Sequence, residues 1–378
     1  MNVAIDVTAM IYDRGVSRYT SNLVSALASQ PNIKLSLYGS SFRQKAELES
    51  LCYHILTKTN RPGNHEVIIQ SIPPTLQEII WKLGFNSIRS QLSNPQVFHS
   101  WDWLQPPDKD LPLVSTIHDL AILKFPQTAH QKILEMHQRS WRILREREAE
   151  IIAVSQATKK DIIDLLGIPS NKITVIPEAL PIEIADVSEK MTEDVYLATK
   201  QQLMLDQPYI LFVGTREPRK NLSNLIEAWK PLSKDYQLII AGAEGWDKIN
   251  YQNSNLRFLG KVSNQQLAVL YGEASMFAYP SLYEGFGLPI LESFYYGTPV
   301  LTSNVPALIE VAGNAAELVD PESVKDIRDG MTKLLNETKE EQQKRLQRMI
   351  IRLQMFNWDS VAKKTIQVYQ KALQGKEK

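Results

Sequence analysis

The strongest constraint on this chain is one pattern that appears twice. Short β-branched, apolar runs alternate with stretches whose apolar residues recur at helical spacing. In the first half the runs fall at residues 2–7, 33–38, 66–70, 112–117, 150–154 and 173–176. The second half starts again, with runs at 209–213, 238–241, 276–279 and 300–302. Strands without polar alternation have both faces covered, and strands alternating with helices build a parallel sheet, so each half reads as an α/β domain with a parallel sheet. At 378 residues the chain is about twice the usual domain size, in keeping with two cores. Residues 181–207 lose the pattern and turn acidic, with Glu183, Asp186, Glu189, Glu193 and Asp194, and read as a linker. Three helical stretches follow residue 320, the last at about 358–374, beyond any expected strand.

Composition narrows the partners. Lys plus Arg and Asp plus Glu each total 42, so no net field draws the chain to nucleic acid. No run approaches the roughly 20 apolar residues that span a bilayer. Met1-Asn2 leads straight into Val3-Ala4-Ile5, without a basic segment and a cleavable apolar stretch, and the lone Cys52 has no disulfide partner. A cytoplasmic protein is expected.

The most informative segment follows the run ending at Tyr279-Pro280. It reads Ser281-Leu282-Tyr283-Glu284-Gly285-Phe286-Gly287-Leu288-Pro289-Ile290-Leu291-Glu292. Pro289 suits a first helical turn, and the two glycines before it let the backbone approach a ligand closely. The N–H groups of such a helix start favour a phosphate or a sugar hydroxyl. Glu284 in the loop and Glu292 about one turn into the helix can accept hydrogen bonds from vicinal hydroxyls; a dipole-favouring acid and a solvated glutamate are the plain alternative. A second cluster, Gly214-Thr215-Arg216-Glu217-Pro218-Arg219-Lys220-Asn221, sets three cations at the carboxyl end of an expected strand, where open sheets bind ligands. Arg216, Arg219 and Lys220 suit a diphosphate, or are solvated charges beside a helix start.

In the first half, Gly15 follows the opening strand and offers a tight turn near phosphate. His118 and Asp119 end another strand, and His118 is the one of six histidines placed where it could meet a reacting sugar, although a structural role is the common fate of such a residue. Trp101 and Trp103 offer faces for sugar rings, and core packing accounts for them equally well. Asp108-Lys109-Asp110 imitates a metal-binding pair but sits in a Pro-rich turn, and no zinc spacing occurs, so no metal is expected.

Glutamates eight apart around Glu284-Gly285-Phe286-Gly287-Leu288-Pro289, with Glu217-Pro218-Arg219-Lys220-Asn221 upstream and Gly297-Thr298-Pro299-Val300 downstream, resemble the family-four retaining glycosyltransferases of the GT-B fold. The likeness extends to Thr116-Ile117-His118-Asp119-Leu120, Ala153-Val154-Ser155, Thr158-Lys159-Lys160-Asp161 and Val175-Ile176-Pro177. It implies two Rossmann-like domains whose parallel sheets face across a deep cleft: residues 1–185 for the acceptor, 186–355 for the nucleotide sugar, and a helix over 356–378 crossing back to the first domain. It further implies that Glu292 binds the ribose, that Glu284 with the amides of Gly285, Phe286, Gly287 and Leu288 holds the donor sugar, and that Arg219 and Lys220 neutralise the diphosphate. His118 would lie beside the anomeric centre, and backbone around Val262 would meet the base.

The implied reaction is metal-independent hexosyl transfer with retention, from a nucleotide-diphosphate sugar to a glycan or lipid-linked saccharide in polysaccharide biosynthesis. UDP-glucose is the first choice of donor and GDP-mannose the next. Peripheral contact with the cytoplasmic face of a membrane is compatible with such an acceptor. The chain departs from the family pattern twice. Arg14 stands before Gly15 where Gly-Gly is common, which suggests a phosphate contact or a narrowed acceptor path, with Trp101, Trp103 and Asp119 as further acceptor candidates. Thr215 occupies the position of a usual diphosphate-binding arginine, so Arg216 or Arg219 must substitute. A nucleotide-sugar epimerase and a non-catalytic carbohydrate-binding scaffold are the alternatives; hydride transfer is disfavoured because no G-x-G-x-x-G follows a strand.

Overall fold

The computed structural model describes residues 1–12, 15–58, 65–128, 130–247, 251 and 253–375. The chain divides into two units, Met1–Glu178 with Asn357–Lys378, and Ala179–Phe356.

In the first unit the strands are β1 (Asn2–Asp6), β2 (Lys34–Ser40), β3 (Glu66–Gln70), β4 (Val97–Trp101), β5 (Leu113–Ile117), β6 (Glu150–Ala153) and β7 (Ile173–Val175). The described residues form a seven-stranded parallel sheet in the order β3-β2-β1-β4-β5-β6-β7. The order reverses between β1 and β4, the topological position where open α/β sheets take ligands. Central strands β4 and β5 are both buried at every residue; β5 appears in the sequence as one of the runs, whereas β4, with His99 and Ser100 at its centre, does not. On one face a core forms from Ala4, Tyr38, Trp81, Phe98, Leu113, Ile117, Trp141 and Ile151.

The helix Trp358–Gln374 completes this unit. Asn357 caps it by accepting from the Ser360 amide at 2.9 Å. It buries Val361, Ala362, Thr365, Val368, Tyr369 and Ala372, one stripe at i, i+3 and i+4 spacing. Tyr369 reaches His99 on β4, with 2.7 Å between its hydroxyl and Nδ1, and Lys371 pairs with Glu150 on β6 at 2.6 Å.

The second unit holds β8 (Tyr209–Val213), β9 (Gln237–Ala241), β10 (Leu256–Gly260), β11 (Met276–Tyr279), β12 (Val300–Ser303) and β13 (Glu317–Val319). The described residues form a six-stranded parallel sheet, β10-β9-β8-β11-β12-β13, reversing between β8 and β11. β10 and β13 were not expected. Both are edge strands, and β10 alternates between covered and open positions, so neither shows the continuous apolar run of a central strand.

The expected linker at 181–207 is instead two helices of the second unit, Ile182–Lys190 and Glu193–Gln202. Three of the five acidic residues belong to helix starts. Glu183, Glu193 and Asp194 lie in first turns, where carboxylates suit the helix dipole, and Thr192 caps the second helix. Tyr196 and Lys200 then hold Glu273 of helix Asn264–Glu273 at 2.7 and 2.6 Å.

Candidate active site

Two segments flank the reversal in the second sheet: the basic one after β8 and the glycine-rich one after β11. Glu284 joins them. Its Oε1 accepts from the Lys220 ammonium at 2.6 Å and from the Tyr279 hydroxyl at 2.8 Å, while Oε2 accepts from Arg219 at 2.8 Å. Lys220 also contacts the Tyr279 hydroxyl at 2.5 Å and lies 4.8 Å from that ring's centre. Arg219 donates further to Glu217 at 2.9 Å and to the Tyr283 carbonyl at 3.1 Å. Glu284 and Lys220 are each 8% exposed, so the charges meet in a low-dielectric setting. Burial alone would raise the Glu284 carboxyl; Arg219, then Lys220, outweigh it and hold it at about 2. Burial, helped by Arg219, lowers the Lys220 ammonium against the pull of Glu284.

Asn221 fixes the segment behind these cations. Its backbone is left-handed at φ 61°, and its amide nitrogen donates to the carbonyls of Pro280 at 2.9 Å and Pro321 at 2.6 Å. The loops after β8 and β9 touch through main chain: a Cβ on Gly242, at φ +145°, would stand 2.1 Å from the Gly214 carbonyl oxygen. Arg216 sits apart from Arg219 and Lys220 in its partners, pairing with Glu244 at 2.8 Å and lying over the Phe258 ring.

The glycine-rich segment leads into helix Leu288–Tyr295, with Pro289 in its first turn as the sequence indicated. Gly287 precedes it at φ +118°, and a Cβ there would meet Leu308 at 2.7 Å, so strain and packing already demand glycine without any ligand. The Phe286 ring is buried edge-on against Phe356, so the contact expected of this residue falls to its main chain. Leu288 is partly buried at the helix start. Glu292 is buried one turn in, and its Oε2 accepts from the Tyr271 hydroxyl at 3.0 Å. Glu284 is thus held by Lys220, Arg219 and Tyr279, and Glu292 by Tyr271. Val262, partly buried, precedes Ser263, whose reciprocal bonds with Gln266 start helix Asn264–Glu273.

In the first unit His118 directly follows β5. Its Nδ1 lies 2.9 Å from the Glu178 carboxylate, and its ring stands edge-on to Tyr19 at 4.7 Å and tilted to Trp101 at 5.9 Å. Trp101 cannot be a sugar platform: it is fully buried and donates its indole N–H to the Asp6 carbonyl at 2.9 Å, bridging β4 to β1 across the strand-order reversal. Trp103, partly buried, stacks at a tilt 6.3 Å from it. Asp119 is committed locally, accepting from the Ala121 amide at 2.8 Å to start a short helix. Gly15 opens helix Gly15–Ala28, where an added Cβ would meet nothing within 4 Å. Arg14 lies outside the described residues. Asp108 spends its oxygens on the amides of Ile88 and Arg89, at 2.7 and 3.0 Å.

Sequence reasoning missed Tyr279, Tyr271, Glu178 and Tyr19. Tyr279 and Glu178 each adjoin a quoted motif, and that adjacency was the available signal. Tyr271 and Tyr19 reach their partners through tertiary packing, with no local sign.

The chain matches the description Glycosyltransferase Family 4 over residues 14–183 and Glycosyl transferases group 1 over residues 197–350. It is 32% identical over 270 residues to O-antigen chain mannosyltransferase B of Escherichia coli, covering 68% of this chain and 69% of that one. Against the serotype-specific mannosyltransferase WbdA of Escherichia coli it is 32% identical over 206 residues, 51% of this chain but only 25% of that protein. Among solved structures, sucrose-phosphate synthase from Thermosynechococcus elongatus shares the fold with TM-score 0.68 and 17% identity, over 99% of this chain and 100% of that one. Two Rossmann-like domains carrying these matches define the GT-B class of glycosyltransferases. Within that class the chain belongs to the glycosyl transferases group 1 family, and it is a hexosyltransferase.

Proposed function

We propose that this enzyme is a metal-independent, retaining mannosyltransferase that uses GDP-mannose to extend a glycan or lipid-linked saccharide in envelope polysaccharide synthesis. The buried cluster of Glu284, Lys220, Arg219 and Tyr279 at the β8/β11 reversal carries the reading. Glu284 holds two cations in place before any ligand arrives, so a diphosphate meets oriented donors without the cost of ordering them. Glu292 takes the ribose hydroxyls, and the amides from Gly285 to Leu288 take the sugar. His118, in the first unit, meets a saccharide hydroxyl. Mannose replaces glucose as first choice because relatives 32% identical to the chain are named mannosyltransferases. Arg219 serves where Thr215 stands, since Glu284 holds it at 2.8 Å beside Lys220.

No helix among the described residues is long and apolar enough to cross a membrane. Leu76, Ile79, Leu83 and Phe85 are exposed along and just after helix Pro74–Lys82, which supports peripheral contact with lipid carrying the acceptor.

Calorimetric titration of GDP, UDP, GDP-mannose and UDP-glucose, with and without EDTA, tests the reading. GDP and GDP-mannose should bind with micromolar affinity regardless of EDTA, and Glu292→Ala should weaken them at least about tenfold. Preference for the uracil nucleotides would overturn the donor assignment, and loss of binding in EDTA would overturn metal independence.

A further inference from the structure

Two histidines in the first unit invite comparison. His99 on β4 is buried and has a partner at each ring nitrogen: Tyr369 at 2.7 Å on Nδ1 and Thr116 at 2.8 Å on Nε2. Burial pushes it down to about 3, so it stays neutral and ties the last helix to the sheet. That is a histidine fully used by the fold.

His118 is used by half. Nδ1 has the Glu178 carboxylate at 2.9 Å, whereas Nε2 is shielded from solvent with no hydrogen-bond partner among the described residues. An orphaned buried nitrogen costs on the order of 1–3 kcal/mol, and native folds seldom keep one without a use. The ring is also held still, edge-on to Tyr19 and tilted to Trp101, while its main-chain carbonyl accepts from the Thr158 hydroxyl at 3.3 Å. Glu178 follows β7 and is itself buried, so the pair is built by two strand ends rather than by flexible surface groups.

We propose that Glu178 is a positioning residue for His118. A carboxylate only accepts, so in the neutral imidazole it keeps the proton on Nδ1 and leaves Nε2 as a lone-pair acceptor for a saccharide hydroxyl. The opposite tautomer would present an N–H donor there and lose the Glu178 bond. The sign of the hydrogen bond at the sugar is thereby set sixty residues along the chain from the histidine. The inference rests on the reading of His118 as the group that meets the sugar, and deepens it by naming what fixes that group's chemistry.

The test has two arms. Release of GDP from GDP-mannose is measured for wild type, Glu178→Ala, Glu178→Gln, His118→Ala and the double variant His118→Ala/Glu178→Ala. Glu178→Ala should lower turnover about 10–100-fold with little change in GDP-mannose affinity, as loss of a partner behind a working histidine does. Glu178→Gln, whose amide oxygen still accepts from Nδ1, should recover most of that loss. The double variant should be no slower than His118→Ala. Wild-type turnover in Glu178→Ala beside an inactive His118→Ala overturns this inference and leaves the proposed function standing. Additive losses in the double variant overturn it as well. Full turnover in His118→Ala overturns the inference together with the reading of His118 as the group that meets the sugar. The second arm needs no turnover: two-bond proton–nitrogen NMR correlations should show His118 with its proton on Nδ1 in wild type and not in Glu178→Ala. An Nε2–H tautomer in wild type overturns the inference whatever the donor proves to be.

Discussion

Glu284 is a residue whose sequence neighbours say little about its charge state. A carboxylate at 8% exposure should resist ionisation, yet two cations at 2.6 and 2.8 Å reverse the outcome. Its folded value of about 2 lies below the ordinary 4.5, so the stabilisation is complete above pH 4.5 and lost as pH falls through 2. Glu284→Gln should therefore cost about 3 kcal/mol at neutral pH, where it leaves two cations uncompensated, and progressively less between pH 4.5 and 2. Urea unfolding of both proteins across that range measures it; a gap independent of pH would show that Glu284 is not the charged partner. The sequence supplied Glu284, Arg219 and Lys220 as candidates because they stand in two dense motifs. It could not show that they bind one another, since 64 positions separate Lys220 from Glu284 and only the β8/β11 reversal brings them together. Trp101 went the other way: an indole at a strand end looks equally like a platform or a core residue until Asp6 is found beneath it.

At the level of elements, legibility followed the continuity of the apolar run, which the edge strands β3 and β7 keep and the buried β4 breaks at His99 and Ser100. Central strands such as β5 and β8 read directly from the chain, while edge strands β10 and β13 and the helices within 181–207 did not. Three of the five acids that suggested a linker stand at helix starts, an ambiguity that composition alone does not resolve. The loops carrying the site depend on main-chain proximity, which a single sequence hides in its glycines. Gly242→Ala places a Cβ 2.1 Å from a carbonyl oxygen, and Gly15→Ala places one in open space. The first change should lower stability by more than about 3 kcal/mol and the second should stay within about 0.5 kcal/mol, as thermal unfolding will show. Comparable losses would mean that the β8 and β9 loops do not meet as described.

For the molecule as a whole, the division into Met1–Glu178 with Asn357–Lys378, and Ala179–Phe356, makes a prediction that the expected boundary at 185 does not. The second unit is continuous in sequence and has its own sheet, so residues 179–356 expressed alone should unfold cooperatively and bind GDP. Residues 1–178 alone lack the helix that buries Val361, Thr365, Val368 and Tyr369, and should show no cooperative transition; adding 357–378 as a separate peptide should restore one. Cooperative unfolding of 1–178 without the peptide would count against this division.

The helix Trp358–Gln374 also fixes an order of events at the ribosome. Synthesis is directional, and the second unit can close once residue 356 has emerged, whereas β4 and β6 wait for Tyr369 and Lys371. The half made first is thus finished last, with its sheet face uncovered through some two hundred further rounds of peptide-bond formation. A stop codon near position 357 would spare the second unit and strand the one that was translated before it, so early chaperone contact should concentrate on the N-terminal unit.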